Sequence, residues 1–155
     1  MSKIKLAILA LLFAGVSSGF ALCMSFVHYA TWEFVPPDAF QKFQQASAMR
    51  TVPLAIALGI SSLALTLITA IRGLPNVPRS VIWIAVILAA IPWIATPTIM
   101  LPLQERLASA GPEGELIKQL FWKDVLLRSL PPVIQSMILL GAVLRSVRSP
   151  SNTSR

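Results

Sequence analysis

The sequence predicts an all-α protein, a four-helix transmembrane bundle with short amphipathic helices in its outer loops. Three observations lead there. Of 155 residues, 55% are hydrophobic and only 12% charged. The mean hydropathy is +0.74. The apolar residues also gather into four long stretches separated by polar ones. A water-soluble domain of this length needs more charge to cover its surface, so the surplus apolar surface must meet lipid. The length suits a single domain, read as residues 1–148, with 149–155 as a disordered C-terminal tail.

A hydrocarbon core about 30 Å thick takes roughly 20 residues at 1.5 Å rise each. The first span runs from Leu6 to Ala30 without a charge, the second from Val52 to Ile71 and the third from Val81 to Leu103. The fourth runs from Val125 to Leu144 and carries Arg128 near its start. Lys3 and Lys5 before an apolar run imitate a signal peptide. That run continues past any plausible cleavage point, which favours a retained anchor.

Charge placement sets the expected topology. With four spans, Lys3, Lys5, Arg72, Arg79, Arg145, Arg148 and Arg155 fall on one side with no acidic residue. On the other side Lys42, Arg50, Arg106, Lys118, Lys123 and Arg128 are balanced by Glu33, Asp38, Glu105, Glu113, Glu115 and Asp124. Basic loops are retained in the cytoplasm, so both termini are expected inside a cell (inner) membrane. The net charge of +7 then reflects topology and attraction to anionic lipid. A nucleic-acid partner would need a soluble basic face, and the chain offers none.

Turn chemistry orders the rest. Arg72-Gly73-Leu74-Pro75-Asn76-Val77-Pro78-Arg79 is short and rich in turn formers, so the second and third spans lie antiparallel. After Pro36-Pro37, Asp38 with Gln41 three residues on reads as a helix cap, and Phe40, Phe43 and Ala46 follow at helical spacing. In the second outer segment Leu116, Ile117, Leu120 and Phe121 do the same after Gly111-Pro112-Glu113-Gly114. Gly15 and Gly19 in span one, with Ala55, Gly59 and Ser62 in span two, offer small-residue surfaces. These suit close packing inside the bundle before contact with a second copy in a homo-oligomer. Pro92, Pro97, Pro102 and Pro131-Pro132 each remove a backbone hydrogen bond. The resulting kinks either open a cavity between spans three and four or are ordinary bends.

Several chemistries are excluded. One cysteine, Cys23, forms no intramolecular disulfide and no cysteine zinc site, and one histidine, His28, cannot supply bis-histidine haem ligation. No metal or cofactor is expected. No Asp, Glu or Lys lies in the middle of a span, which argues against a proton-coupled antiporter. The polar groups that remain share one depth. His28, Tyr29, Trp32 and Glu33 close span one, Gln104 follows span three, and Trp122, Asp124 and Arg128 open span four. Singly these read as interfacial aromatics, a snorkelling arginine paired to Asp124, and a packing histidine. Together they outline a polar pocket with apolar walls.

The stretches Phe26-Val27-His28-Tyr29, Leu101-Pro102-Leu103-Gln104-Glu105-Arg106 and Phe121-Trp122-Lys123-Asp124-Val125-Leu126-Leu127-Arg128 make the chain, from about residue 10 to 144, resemble the anthrone oxygenase-like family of small four-span membrane proteins. Gln104 stands where that family carries asparagine. Asp124 to Leu127 stand where it often carries a histidine. The resemblance implies a cofactor-independent monooxygenase acting on a flat aromatic or polyketide-like substrate in a pocket at the outer end of the bundle. It implies His28 as base, Arg128 and Gln104 as donors to a developing oxyanion, and Trp122 and Trp32, with Tyr29 and Asp124, around the substrate. The competing expectation is a membrane scaffold or a lipid- or quinone-binding subunit with no turnover. That reading needs only the spans, the small-residue contacts and the aromatic belt.

Overall fold

The computed structural model describes residues 1–148; the tail read at 149–155 lies outside the described residues. Four long helices account for nearly all of it: α1 (Lys3–Phe34), α2 (Pro37–Arg72), α3 (Arg79–Ala110) and α4 (Gly114–Arg148). Each is long and apolar enough to cross a membrane, and the protein is a multi-pass membrane protein with an all-α bundle fold. Only Val35-Pro36, Gly73 to Pro78 and Gly111 to Glu113 connect the helices. Such short links force antiparallel neighbours, and the four helices form a closed ring in which α4 returns to pack on α1 and α3.

Local signals account for the ends. Ser2 caps α1, its hydroxyl accepting from the Lys5 amide at 3.3 Å. At α2 the expected Asp38 cap is not used. Pro37 takes the first helical position and Asp38 sits in the first turn, where its charge favours the helix dipole. Gly73 and Gly111 end α2 and α3 with φ of 66° and 86°, which a side chain would disfavour.

The amphipathic stretches of the outer segments are helical and run without a break into the spans. α2 contains 36 residues and passes straight through Pro53. At 1.5 Å per residue this is about 54 Å, well beyond a hydrocarbon core. The surplus at the end opposite the termini, here the distal end, forms a helical cap. Its core joins Tyr29 and Trp32 to Phe40, Met100, Leu103, Leu107, Ile117 and Leu120. Near the termini the bundle is held differently. Ala7, Ala10 and Ala14 on α1 pack against Ala85, Leu139, Ala142 and Ile82, because small residues let helices approach in the absence of a water-driven force. Gly15 and Gly19 are exposed and would meet nothing if given a Cβ. The small-residue contact of α1 is thus its alanine face and not the glycine pair.

Three helices change pitch between the two halves. π turns occupy Met24–His28 in α1, Thr96–Met100 in α3 and Val125–Ser129 in α4. In each, the amide of the next residue bonds five residues back, Tyr29 to Met24, Leu101 to Thr96 and Leu130 to Val125. Prolines explain two of them. Pro97 lies within the α3 turn and Pro102 just after it, and Pro131-Pro132 follow the α4 turn, each lacking the amide that an α-helical bond requires. Such turns widen a helix and re-aim its side chains, and they recur at functional sites. Here they lie beside the polar cluster.

Candidate functional site at the base of the distal cap

Tyr29 is the centre of the cluster. It is buried, and its hydroxyl receives Gln104 Nε2 and Arg128 Nη1, each at 3.2 Å. Gln104 comes from α3 just beyond its π turn and Arg128 from within the π turn of α4, so three helices converge on one phenolic oxygen. Arg128 Nη1 also stands 3.0 Å from Asp124 Oδ1, one helical turn earlier. That contact is an ion pair off the hydrogen-bonding direction, and Oδ1 has no aligned donor among the described residues. The other carboxylate oxygen accepts from Ser25, whose hydroxyl also pairs with that of Ser129 at 2.7 Å. A buried carboxylate is tolerated because it is paired and hydrogen-bonded.

His28 lies one helical step away and is half-buried. Its Nε2 receives the Trp32 indole N–H at 3.2 Å and contacts the Ser47 hydroxyl at 2.8 Å. An indole nitrogen only donates, so Nε2 is the unprotonated nitrogen and the ring proton is on Nδ1. Trp32 is locked edge-on between Tyr29 and Phe40. Gln44 on α2 donates to the Gln104 carbonyl at 3.0 Å and ties the cap segment of α2 to α3.

Two neighbouring cavities adjoin these groups. A small one of about 80 Å³ is lined by His28, Tyr29, Trp32, Ser47, Gln104 and Arg128. A larger one of about 420 Å³ lies between all four helices, from Asp124 and Arg128 down to Ser62 and Gln135. Phe20, Met24, Thr96 and Arg128 line both. Val52 and Ile56 on α2 and Pro97 and Leu101 on α3 line the larger cavity and are exposed, which puts its mouth between those two helices. Below the mouth the Trp93 ring rests on Gly59, where an added Cβ would come within 2.9 Å of Cζ2. The volume falls within the range of small-molecule sites, and the walls are mostly apolar with a few converging polar groups.

Of the residues expected at the site, His28, Tyr29, Trp32, Gln104, Asp124 and Arg128 form one connected group. Trp122 does not join them. It is 61% exposed and packs against Phe121 on the outside of α4, the position of an interfacial aromatic. Trp32 is packed edge-on in the cap core, so its visible role is to hold His28. Among the described residues no three His, Cys, Asp or Glu side chains are placed to hold a metal.

The site also contains residues that reading by segments overlooks. Ser47 and Gln44 belong to a segment that looked like a surface helix, although Phe40, Phe43 and Ser47 follow one another at helical spacing. Ser25 and Ser129 look like ordinary small residues. Gln135 is seven residues, or two turns, from Arg128 on the same face, and that spacing was a usable signal.

The arrangement defines a class, a four-span membrane bundle with a ligand-sized, lipid-facing cavity headed by a partly buried Arg-Asp-Tyr-Gln network. Comparison with known proteins takes the assignment no further, since the chain matches no family model, no curated protein and no solved structure.

Proposed function

We propose that the protein binds a flat apolar molecule with an acidic or enolisable oxygen, and oxidises it with dioxygen in the manner of the anthrone oxygenase-like family. Arg128 carries this reading. Only Nη1 of its guanidinium has partners among the described residues. Arg128 lines both cavities, and its Nε and Nη2 have no partner among the described residues. A guanidinium in an apolar, water-poor cavity stabilises developing negative charge on oxygen strongly. Asp124 balances its charge while the cavity is empty.

The chemistry needs no metal. His28 Nε2 takes a proton from the acidic carbon once the Trp32 indole N–H and the Ser47 hydroxyl have both turned away from its lone pair, and the electron pair left behind spreads onto the oxygen held by Arg128 and Gln104. The carbanion reduces dioxygen to a hydroperoxide on that carbon. Loss of water then leaves a new carbonyl, so that a CH₂ group and O₂ become C=O and H₂O. The charge pattern of the sequence favours a cell membrane with both termini cytoplasmic, and hence a site near its outer face.

The test is oxidation of anthrone by the protein in nanodiscs, with the rate in empty nanodiscs subtracted. Anthraquinone should form faster than background, and His28→Ala and Arg128→Gln should each lose most of the excess. Equal rates with and without protein would overturn the oxygenase. One observation favours the second reading, a lipid- or quinone-binding subunit without turnover. The lone pair of His28 Nε2 is already shared by Trp32 and Ser47, as suits a structural histidine. On that reading a quinone binds and is returned unchanged.

A further inference from the structure

The larger cavity has a second polar pole. Gln135 lies in α4, two turns toward the termini from Arg128, and is only 1% exposed. Its Nε2 donates to Ser62 Oγ at 3.1 Å and to Thr66 Oγ1 at 2.9 Å. The orientation of the amide follows from its partners. Thr66 spends its own hydroxyl proton on the Ser62 carbonyl at 2.7 Å, so Thr66 Oγ1 must accept and the amide nitrogen must face it. Two capacities are then left at the inner end of the cavity, which both residues line. Gln135 Oε1 has no donor, and Ser62 has a hydroxyl proton with no acceptor, among the described residues. The amide oxygen and the unspent hydroxyl thus offer one acceptor and one donor to a molecule in the cavity.

We propose that this pair is a recognition site for a hydroxyl group on the bound molecule. A hydroxyl both donates and accepts at one small uncharged group, giving its proton to Gln135 Oε1 and taking that of Ser62. A ketone or ether oxygen satisfies Ser62 only, and a methyl group satisfies neither. Seven residues of helix separate this pole from Arg128 by about 10 Å. The preferred ligand is therefore an elongated or flat apolar molecule with an acidic oxygen at one end and a hydroxyl about 10 Å away at the other. This rests on the reading of the Arg128 cavity as a ligand site. It does not depend on whether the ligand is turned over.

The experiment uses two fluorescent probes that differ by one group, 2-naphthoate and 6-hydroxy-2-naphthoate, titrated into the full-length protein in nanodiscs. Both carry the acidic end for Arg128, and only the second reaches Gln135 with a hydroxyl. Wild type should bind the hydroxylated probe about tenfold more tightly, because a site built around a hydroxyl rejects the analogue that lacks it. Gln135→Leu should bring the ratio close to one while still binding 2-naphthoate, which also shows that the variant is folded. Ser62→Ala, which keeps the Gln135–Thr66 bond, should reduce the ratio part of the way. Equal binding of both probes to wild type, or an unchanged ratio in Gln135→Leu, would overturn the inference and leave the Arg128 site standing. Failure of both probes to bind wild type, or equal binding to Arg128→Gln, would overturn that underlying reading and the inference with it.

Discussion

Arg128 Nη1 lies between the Tyr29 hydroxyl, at 3.2 Å, and Asp124 Oδ1, at 3.0 Å, so one guanidinium nitrogen joins α1 to α4 and neutralises a buried carboxylate. The pair is a device for holding a cation at an apolar cavity, and its energetics are asymmetric. Removing one partner strands the other.

Arg128→Met is accordingly expected to destabilise the protein by about 3–5 kcal/mol, since it leaves Asp124 buried and unpaired. Adding Asp124→Asn should recover a large part of that loss, because the stranded charge is removed. Chemical unfolding in detergent, followed by tryptophan fluorescence, checks both. Additive losses in the double variant would show that the two side chains do not act as a pair.

Tyr29→Phe removes the acceptor shared by Gln104 and Arg128 while keeping the ring that packs on Trp32. A loss of about 1–2 kcal/mol is expected. Affinity for 2-naphthoate should fall several-fold as Arg128 loses its anchor. An affinity equal to wild type would mean that Arg128 is positioned by Asp124 alone.

Filling the cavity should block it without touching the polar network. At Gly59 any side chain collides with Trp93, the first added carbon at 2.9 Å, and Gly59→Leu should drive the ring into the space between α2 and α3. Loss of probe binding of tenfold or more is expected, with the protein still folded by circular dichroism. Unimpaired binding would place the ligand elsewhere.

The proposed orientation has its own check. Single cysteines placed in a Cys23→Ala background at Asn76, in the loop between α2 and α3, and at Gly114, the first residue of α4 at the opposite end of the bundle, should differ in access to a membrane-impermeant thiol reagent. The reagent added outside intact cells should label the position at 114 and spare that at 76. The reverse pattern would invert the assigned topology.

Much of the fold was legible because lipid leaves so few solutions. Four long apolar stretches, only the last of which carries a charge (Arg128), admit little besides a helical bundle. The shared depth of His28, Tyr29, Gln104, Asp124 and Arg128 was legible for the same reason, since each could be counted from a span end. What escaped depends on continuity and on side-chain direction. The stretch after Pro36-Pro37 was read as a short outer helix separate from span two, which was placed from Val52. In the structure Pro37 starts one helix, Pro53 lies within it, and Ser47 is thereby carried to His28. Gly15 and Gly19 attracted notice as a spacing motif, yet the face that packs is set by Ala7, Ala10 and Ala14. The π turns shift the facing of every residue beyond them, so a uniform helical wheel cannot place Ser25 or Ser129 correctly. Trp122 was assigned to the pocket by its neighbourhood in sequence, and its direction on α4 takes it outside.

The measurement that bears most directly on the central claim is an experimental structure in lipid nanodiscs, inspected for density in the cavity between Arg128 and Gln135. The account predicts an open cavity with elongated density, one end within hydrogen-bonding distance of Arg128, and Tyr29 still bonded to Arg128 and Gln104. A cavity closed by Phe20 and Met24, with Arg128 turned outward to lipid headgroups, would contradict it and leave the bundle as a scaffold.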